Sequence, residues 1–201
     1  MARPSVEVER REQILEAACS VIADVGLQAL RLSDVAKAAG MSSGTIHYYF
    51  DTKREVVNAA FAFNYSRSLE RRQWMLESKT SPLDMLRALV ESYLPSDDKS
   101  LRAWHVWAEL WAEGMRDTEL QEVNERLYGE WRNLVADLIR TAQEQNLARP
   151  GDPVELSNIL IAAIDGLAIQ VLLRSQVMTL VEMRRTCNSF VDNVLAVQPL
   201  K

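Results

Sequence analysis

The sequence predicts an all-α protein of nine helices, and three observations carry that prediction. Chain breakers are scarce: 201 residues contain only 7 Gly and 6 Pro, too few for the frequent turns of a sandwich or barrel. Apolar residues recur at three- and four-residue spacing along most of the chain. Helix-start signals, a Ser, Thr or Asp followed by Pro or, three residues on, by Glu, stand where several of the apolar runs begin.

Taken in order, Ile14, Ala18, Val21, Ile22 and Val25 share one helical face, and Gly26 follows where a left-handed C-cap belongs. Ser33 is placed to cap a short helix over residues 34–39, which Gly40 ends, and Ser42 caps a second over residues 43–50. Thr52 with Glu55 is a capping-box pattern opening a long helix to about Lys79. Ser81-Pro82 opens the fifth helix, since Pro at the first position loses no bond the helix needed, and Pro95 ends it. Asp97 or Asp98 opens the sixth, through Met115, and Asp117 or Thr118 the seventh, to about Asn146. Asp152-Pro153 with Glu155 opens the eighth, through about Ser175, and Thr179 with Glu182 the ninth, to about Val197. No segment reads as a convincing strand.

Several function classes drop out. Hydrophobic residues at 48% and charged residues at 25% are those of a globular protein long enough to bury a core. Cys19 and Cys187 lie far apart without CxxC spacing, which fits a reducing cytoplasm. The N-terminus becomes charged before any apolar run, so no signal peptide is expected. The apolar stretch 158–173 is interrupted by Asp165 and Gln170 and is short for a bilayer span, so no membrane partner is expected. The two histidines, His47 and His105, come with no HExxH, GxGxxG, P-loop or GxSxG pattern. An enzyme would therefore lack a reactive centre, and neither a cofactor nor a metal site is implied.

Net charge is −5, but residues 1–54 hold seven basic and seven acidic side chains, leaving 16 basic and 21 acidic ones beyond. That balance argues against a non-specific nucleic-acid coat and leaves room for a small module whose few cations are placed. The stretch from Leu30 to Phe50 has the makings of one. A helix-turn-helix needs a small residue where its helices cross, a residue tolerant of positive φ in the turn, and a branched apolar anchor on the second helix. Ala36, Gly40 and Ile46 supply these in order. The second helix can then lie in a major groove and present Ser43, Thr45, His47 and Tyr48 to base edges.

Residues 10–57 resemble the DNA-binding domain of TetR-like one-component transcriptional regulators. The matching segments are Ile14-Leu-Glu-Ala-Ala, Gly26-Leu, Leu32-Ser-Asp-Val-Ala-Lys-Ala-Ala-Gly-Met-Ser, Gly44-Thr-Ile-His-Tyr-Tyr-Phe and Lys53. The resemblance implies a nine-helix subunit with a DNA-binding head over residues 1–54 and an effector-binding and dimerisation domain over 55–201. It implies a cytoplasmic homodimer joined mainly by the last two helices, binding a palindromic operator and released by a small-molecule effector. A ligand-responsive activator, or a helical ligand-binding protein without operator function, are the alternatives. Carried over by position, the groove-facing residues are Ser43, Gly44, Thr45, His47, Tyr48 and Tyr49, the second-helix contacts Arg31 and Ser33, and the phosphate lysine Lys53. Many members have Lys at the place of Ser43 and Tyr-His at the place of His47-Tyr48, so an operator sequence does not transfer. Tyr49 and Phe50 fit core or backbone contacts better than base readout. The later segments Trp107-Ala-Glu-Leu-Trp-Ala-Glu, Arg116-Asp-Thr-Glu-Leu, Leu127-Tyr-Gly-Glu-Trp-Arg and Ile164-Asp-Gly-Leu are similar to the BetI-type subgroup, which names no ligand.

All five tryptophans lie beyond the head. Trp104, Trp107 and Trp111 share a helical face and suit either core or an aromatic-walled pocket, which Trp74, Tyr128 and Trp131 would complete. Such a pocket suits a hydrophobic or a cationic effector; rings with nearby carboxylates favour a cation, the candidates being Glu109, Glu113, Glu130 and Asp165. Glu109 and Glu113 sit about 200° around the helix from Trp107 and Trp111, which points them to solvent. Asp165 interrupts an apolar run and needs a partner, as a structural hydrogen bond or as a pocket group. Leu156, Ile159, Leu160, Ala163, Leu167 and Val171 make that helix apolar nearly all round, and Gly166 permits a close helix approach. With Phe190 and Val194 of the final helix they predict a two-fold four-helix interface.

Overall fold

The computed structural model describes residues 6–71 and 81–197. Its α-helices are α1 (Val6–Val25), α2 (Leu32–Ala38), α3 (Ser43–Tyr49), α4 (Lys53–Glu70), α5 (Pro82–Tyr93), α6 (Asp98–Gly114), α7 (Thr118–Glu144), α8 (Pro153–Leu172) and α9 (Leu180–Phe190). A π-helical turn, Val191–Leu195, continues α9. Among the described residues the one β feature is an isolated bridge between Ala148 and Ala196.

Caps set most of the boundaries. Ser42, Ser81, Asp152 and Thr179 each accept a backbone N–H from the first turn of the helix that follows, each bond contributing about 1 kcal/mol. Thr52 Oγ1 accepts the N–H of Glu55, whose carboxylate returns to the N–H of Asp51, a capping box displaced by one residue. Ser33 does not cap α2. The N–H groups of Asp34 and Val35 both bond Arg31 O, so the helix begins at Leu32 and Ser33 lies exposed inside its first turn. The expected continuation of α4 to Lys79 falls on residues outside those described. The ninth helix keeps its α form only to Phe190, after which the chain widens into the π turn.

The chain forms two compact units. The first takes residues 1–68 and 102–127. Its core is Ile14, Ala18 and Ile22 of α1, Val35 and Ala36 of α2, Ile46 of α3, Phe50, and Val56, Ala60 and Phe61 of α4. Ala36 and Ile46 are both buried, at 3% and 0% exposure, so the spacing with Gly40 reads as expected. Gly40 has φ +65° with open space where a Cβ would stand. The backbone conformation alone demands glycine there.

The second unit takes residues 69–101 and 128–201. Its core stacks Leu86, Leu89 and Val90 of α5, Val135 and Ile139 of α7, Leu160, Ile161 and Ile164 of α8, and Met183, Cys187, Val191 and Leu195. Two ion pairs tie α5 to the chain's end, Arg87 to Asp192 at 2.7 Å and Arg184 to Glu91 at 2.9 Å. Both cysteines are free thiols, pushed up by burial to about 12 for Cys19 and about 11 for Cys187.

Candidate nucleic-acid interface and effector site

The reading helix is positioned from both ends. At its start Ser42 Oγ accepts Thr45 N–H at 3.1 Å and lies 2.9 Å from Thr45 Oγ1. At its end Arg11 of α1 donates to Tyr49 O at 3.3 Å and lays its guanidinium 4.3 Å over the Phe50 ring. Gln13, two residues further along α1, donates to Ala39 O at 2.8 Å and holds the end of α2. Sequence reasoning missed both α1 clamps, because their residue types are ordinary for a helix surface.

With Ile46 fully buried as the anchor, α3 turns the rest of its surface outward. Ser43, Gly44, His47 and Tyr48 are exposed, Tyr48 to 79%. Thr45 is half-buried and shares its hydroxyl with the cap, and Tyr49 is half-buried with its ring edge-on to Tyr48 at 5.1 Å. Arg31, just ahead of α2, and Ser33 in its first turn are exposed. Phe50 is buried, as core. Such a surface can offer hydroxyl, imidazole and phenol groups to base edges and cations to phosphates.

Lys53 is exposed at the first turn of α4 but already engaged: its Nζ donates to Leu27 O at 3.2 Å and Gln28 O at 3.5 Å. Glu109 and Glu113 do not point to solvent. Glu109 Oε2 accepts the N–H of Leu27 at 2.7 Å, and Glu113 Oε1 accepts Gln28 Nε2 at 2.8 Å. Helical phase identified the face of α6 but not that the α1–α2 loop covers it. Gly26 gives the loop its direction, with φ +81° and Glu109 Oε2 only 3.2 Å from where a Cβ would sit. Beside the loop lies a cavity of about 380 Å³ whose lining includes Leu27, Lys53, Val57, Glu113 and Asp117. Arg54 closes its edge by an ion pair to Asp117, which raises the guanidinium and holds the carboxyl below its ordinary range.

The residues expected to bind an effector fall into two clusters, one in each unit, while Trp74 lies outside the described residues. In the first unit Trp111 stands 6.2 Å from Trp104 and 6.1 Å from Trp107, and its Nε1 donates to Asn124 at 3.1 Å. In the second, Tyr128 and Trp131 share a face of α7. Trp131 stacks on Tyr93 at 4.3 Å, a partner the sequence did not single out, and the Tyr128 hydroxyl donates to the carboxylate of Asp165. Burial pushes the Asp165 carboxyl up to about 6, against the lowering pull of the tyrosine hydrogen bond. Burial and the neighbouring carboxylate together push the Tyr128 phenol far above its ordinary value. One face of Tyr128 carries the Arg132 guanidinium at 5.7 Å. Glu130 is exposed. A half-buried carboxylate held by a tyrosine hydroxyl, on a helix that also carries a stacked ring pair, can pair with a cation.

The expected dimer residues divide by burial. On α8 Ile159 is 46% exposed and Gly166 is exposed, Leu156, Ala163, Leu167 and Val171 are half-buried, and Leu160 is 0% exposed. Leu160 therefore belongs to the core of its own unit and not to the outer face, because α8 buries one stripe and leaves another. Phe190 is half-buried and Val194 is 43% exposed. By length and composition α8 is apolar enough to cross a membrane, with mean hydropathy 1.6 and 28% of that window buried. Among the described residues this apolar helix is thus only partly covered, with Ile159, Ala162 and Gly166 exposed.

Comparison with known proteins agrees with this geometry. Residues 14–60 match the model of bacterial regulatory proteins of the tetR family, and residues 82–196 that of the BetI-type transcriptional repressor C-terminal domain. The HTH-type transcriptional regulator BetI of Stenotrophomonas maltophilia is 30% identical over 173 residues, covering 83% of each chain. A transcriptional regulator of Saccharomonospora viridis, crystallised in complex with choline, superposes with a TM-score of 0.88 at 32% identity, covering 95% of this chain and 100% of that one. A TetR-family regulator from Rhodococcus sp. does so with a TM-score of 0.85 at 26% identity, over 94% of this chain and 100% of that one.

Proposed function

The chain belongs to the TetR family of transcriptional regulators, with a BetI-type C-terminal domain, and on that premise we propose a cytoplasmic repressor released from its operator by a quaternary-ammonium cation such as choline. It is a helix-turn-helix DNA-binding regulator and not an enzyme. The observation that carries the choice of effector is the half-buried Asp165 carboxylate, held by the Tyr128 hydroxyl on the helix whose Trp131 stacks on Tyr93. A quaternary ammonium has no N–H to be satisfied, spreads its charge over methyl groups that pack against rings, and neutralises a buried carboxylate. That the related Saccharomonospora viridis regulator holds choline supports the same class of ligand here.

In this reading residues 1–54 read DNA and residues 55–201 bind effector and partner. Arg31, Ser33, Ser43, Gly44, Thr45, His47, Tyr48 and Tyr49 form the reading surface and Lys53 a phosphate contact. The uncovered stripe of α8, with Ile159 and Gly166, joins the end of the chain at Phe190 and Val194 in a two-fold interface. The dimer sets two heads one helical turn of DNA apart, about 34–36 Å. Effector binding favours a conformation with the heads out of register, and operator affinity falls by the ratio of effector affinities for the two states. Calorimetric titration with choline and with its uncharged isostere 3,3-dimethylbutan-1-ol tests the choice of ligand. Choline binds and the isostere binds at least tenfold more weakly. Equal binding of the two would show that the carboxylate does not select charge.

A further inference from the structure

From the loop between α1 and α2, we infer that Glu109 of α6 is a positioning residue for DNA binding and acts on Lys53 through the two peptide groups around Leu27. The N–H of Leu27 is given to Glu109 Oε2 at 2.7 Å, and the C=O of Leu27 receives Lys53 Nζ at 3.2 Å. The carboxylate fixes the plane of the Gly26–Leu27 peptide and with it the backbone of Leu27, so the carbonyl of the next peptide, the acceptor offered to Lys53, is held in place. Gln28 repeats the arrangement one residue on, its side chain bound to Glu113 and its carbonyl 3.5 Å from Lys53 Nζ. An ammonium has three protons. Two engaged on the carbonyls aim the third outward, where a phosphate oxygen can take it without the lysine first losing the rotamer freedom of its long stem.

The backbone is shaped for this contact. Gly26, at φ +81°, turns the Leu27 N–H toward α6, and a Cβ there would stand 3.2 Å from the same carboxylate oxygen. The device places an acidic residue where it helps bind a polyanion. Its signature is a sign: removing a negative charge near DNA ordinarily tightens binding, whereas loss of Glu109 loosens it here.

The inference rests on Lys53 being a phosphate contact, so both residues are tested together. The full-length protein is titrated onto a duplex selected from a random pool, across a range of salt, as wild type, Lys53→Ala, Glu109→Ala and the double variant. Lys53→Ala makes the salt dependence shallower by about two, one phosphate per head of the dimer. Glu109→Ala weakens binding three- to tenfold at low salt with a similarly shallower slope, and the double variant is no weaker than Lys53→Ala. Glu109→Gln, which keeps an acceptor for the Leu27 N–H, retains the wild-type slope. Should Glu109→Ala not fold, Glu109→Asp withdraws the oxygen by one methylene at constant charge and gives the shallower slope instead. A normal slope in Lys53→Ala overturns both the phosphate contact and the relay. A shallow slope in Lys53→Ala with a normal one in Glu109→Ala or Glu109→Asp, or additive effects in the double variant, overturns the relay alone.

Discussion

The outer face of α3 and the layer between α7 and α8 handle polar side chains in opposite ways. On α3, Ser43, His47 and Tyr48 stand in water around a buried Ile46, so their hydrogen bonds are exchanged with solvent and stay available to a partner. Between α7 and α8, Asp165 is half-buried on one tyrosine hydroxyl, and the fold bears part of the desolvation of a carboxylate. A large charged partner can be met by exposed groups in a periodic array. A small cation needs a site that has already removed water, and that site weakens the fold until the ligand arrives.

The largest effect expected from this contrast comes from making the effector layer as undemanding as the reading face. Asp165→Asn keeps an acceptor for Tyr128 and removes the charge. Choline affinity in calorimetry drops on the order of a hundredfold or more. The same change raises stability at neutral pH. Asp165 is held up near 6, so the fold favours its protonated form. Stability is therefore full below the ordinary carboxylate range and is lost as pH rises from about 4 through 6, by on the order of 2–3 kcal/mol. Thermal melts at pH 7.5 show Asp165→Asn above wild type, and the difference closes at pH 4. A variant that loses both choline binding and stability would make Asp165 an ordinary structural hydrogen bond.

Wild-type choline affinity carries the same signature. Binding needs the ionised carboxylate, so affinity is constant above about pH 6.5 and falls roughly tenfold per pH unit below 6. A flat profile from pH 5 to 7.5 would remove the carboxylate from the site. On the reading face the changes are smaller and redirect rather than abolish. His47→Ala relaxes base preference at its position by about 1–3 kcal/mol in competitive duplex selection, with the salt slope unchanged. A uniform loss across sequences would make His47 a backbone contact. The smallest effect separates functional cost from idle cost within α8. Arg174 ends that helix at φ +55°, a conformation glycine adopts freely. Arg174→Gly raises stability by about 0.5–1 kcal/mol in denaturant melts and leaves choline affinity alone.

What the sequence makes legible follows the same division. Helix-turn-helix geometry is local, and the spacing of Ala36, Gly40 and Ile46 reads directly into the observed crossing, turn and anchor. Asp165 was visible as a carboxylate in an apolar run, and its partner Tyr128 lies on a segment already marked by its resemblance. Long-range geometry was not legible. Helical phase measures position around an axis and is silent about what packs there, which is why Glu109 and Glu113 were sent to solvent when the α1–α2 loop covers them. A helix apolar all round gives no phase at all, so Leu160 was assigned to a partner although it faces its own core. Ser33 was given a cap because serine is a good one, whereas the first hydrogen bonds run to Arg31 O.

Release of this protein from its operator by a quaternary ammonium is the step on which the proposed function turns. The direct measurement is fluorescence anisotropy on a duplex selected from a random pool, titrated with protein in the absence and presence of saturating choline, for wild type and Asp165→Asn. A palindrome bound by a dimer is expected, with affinity at least tenfold weaker with choline for wild type and no change with choline for Asp165→Asn. Wild-type affinity that choline leaves unchanged would contradict that release.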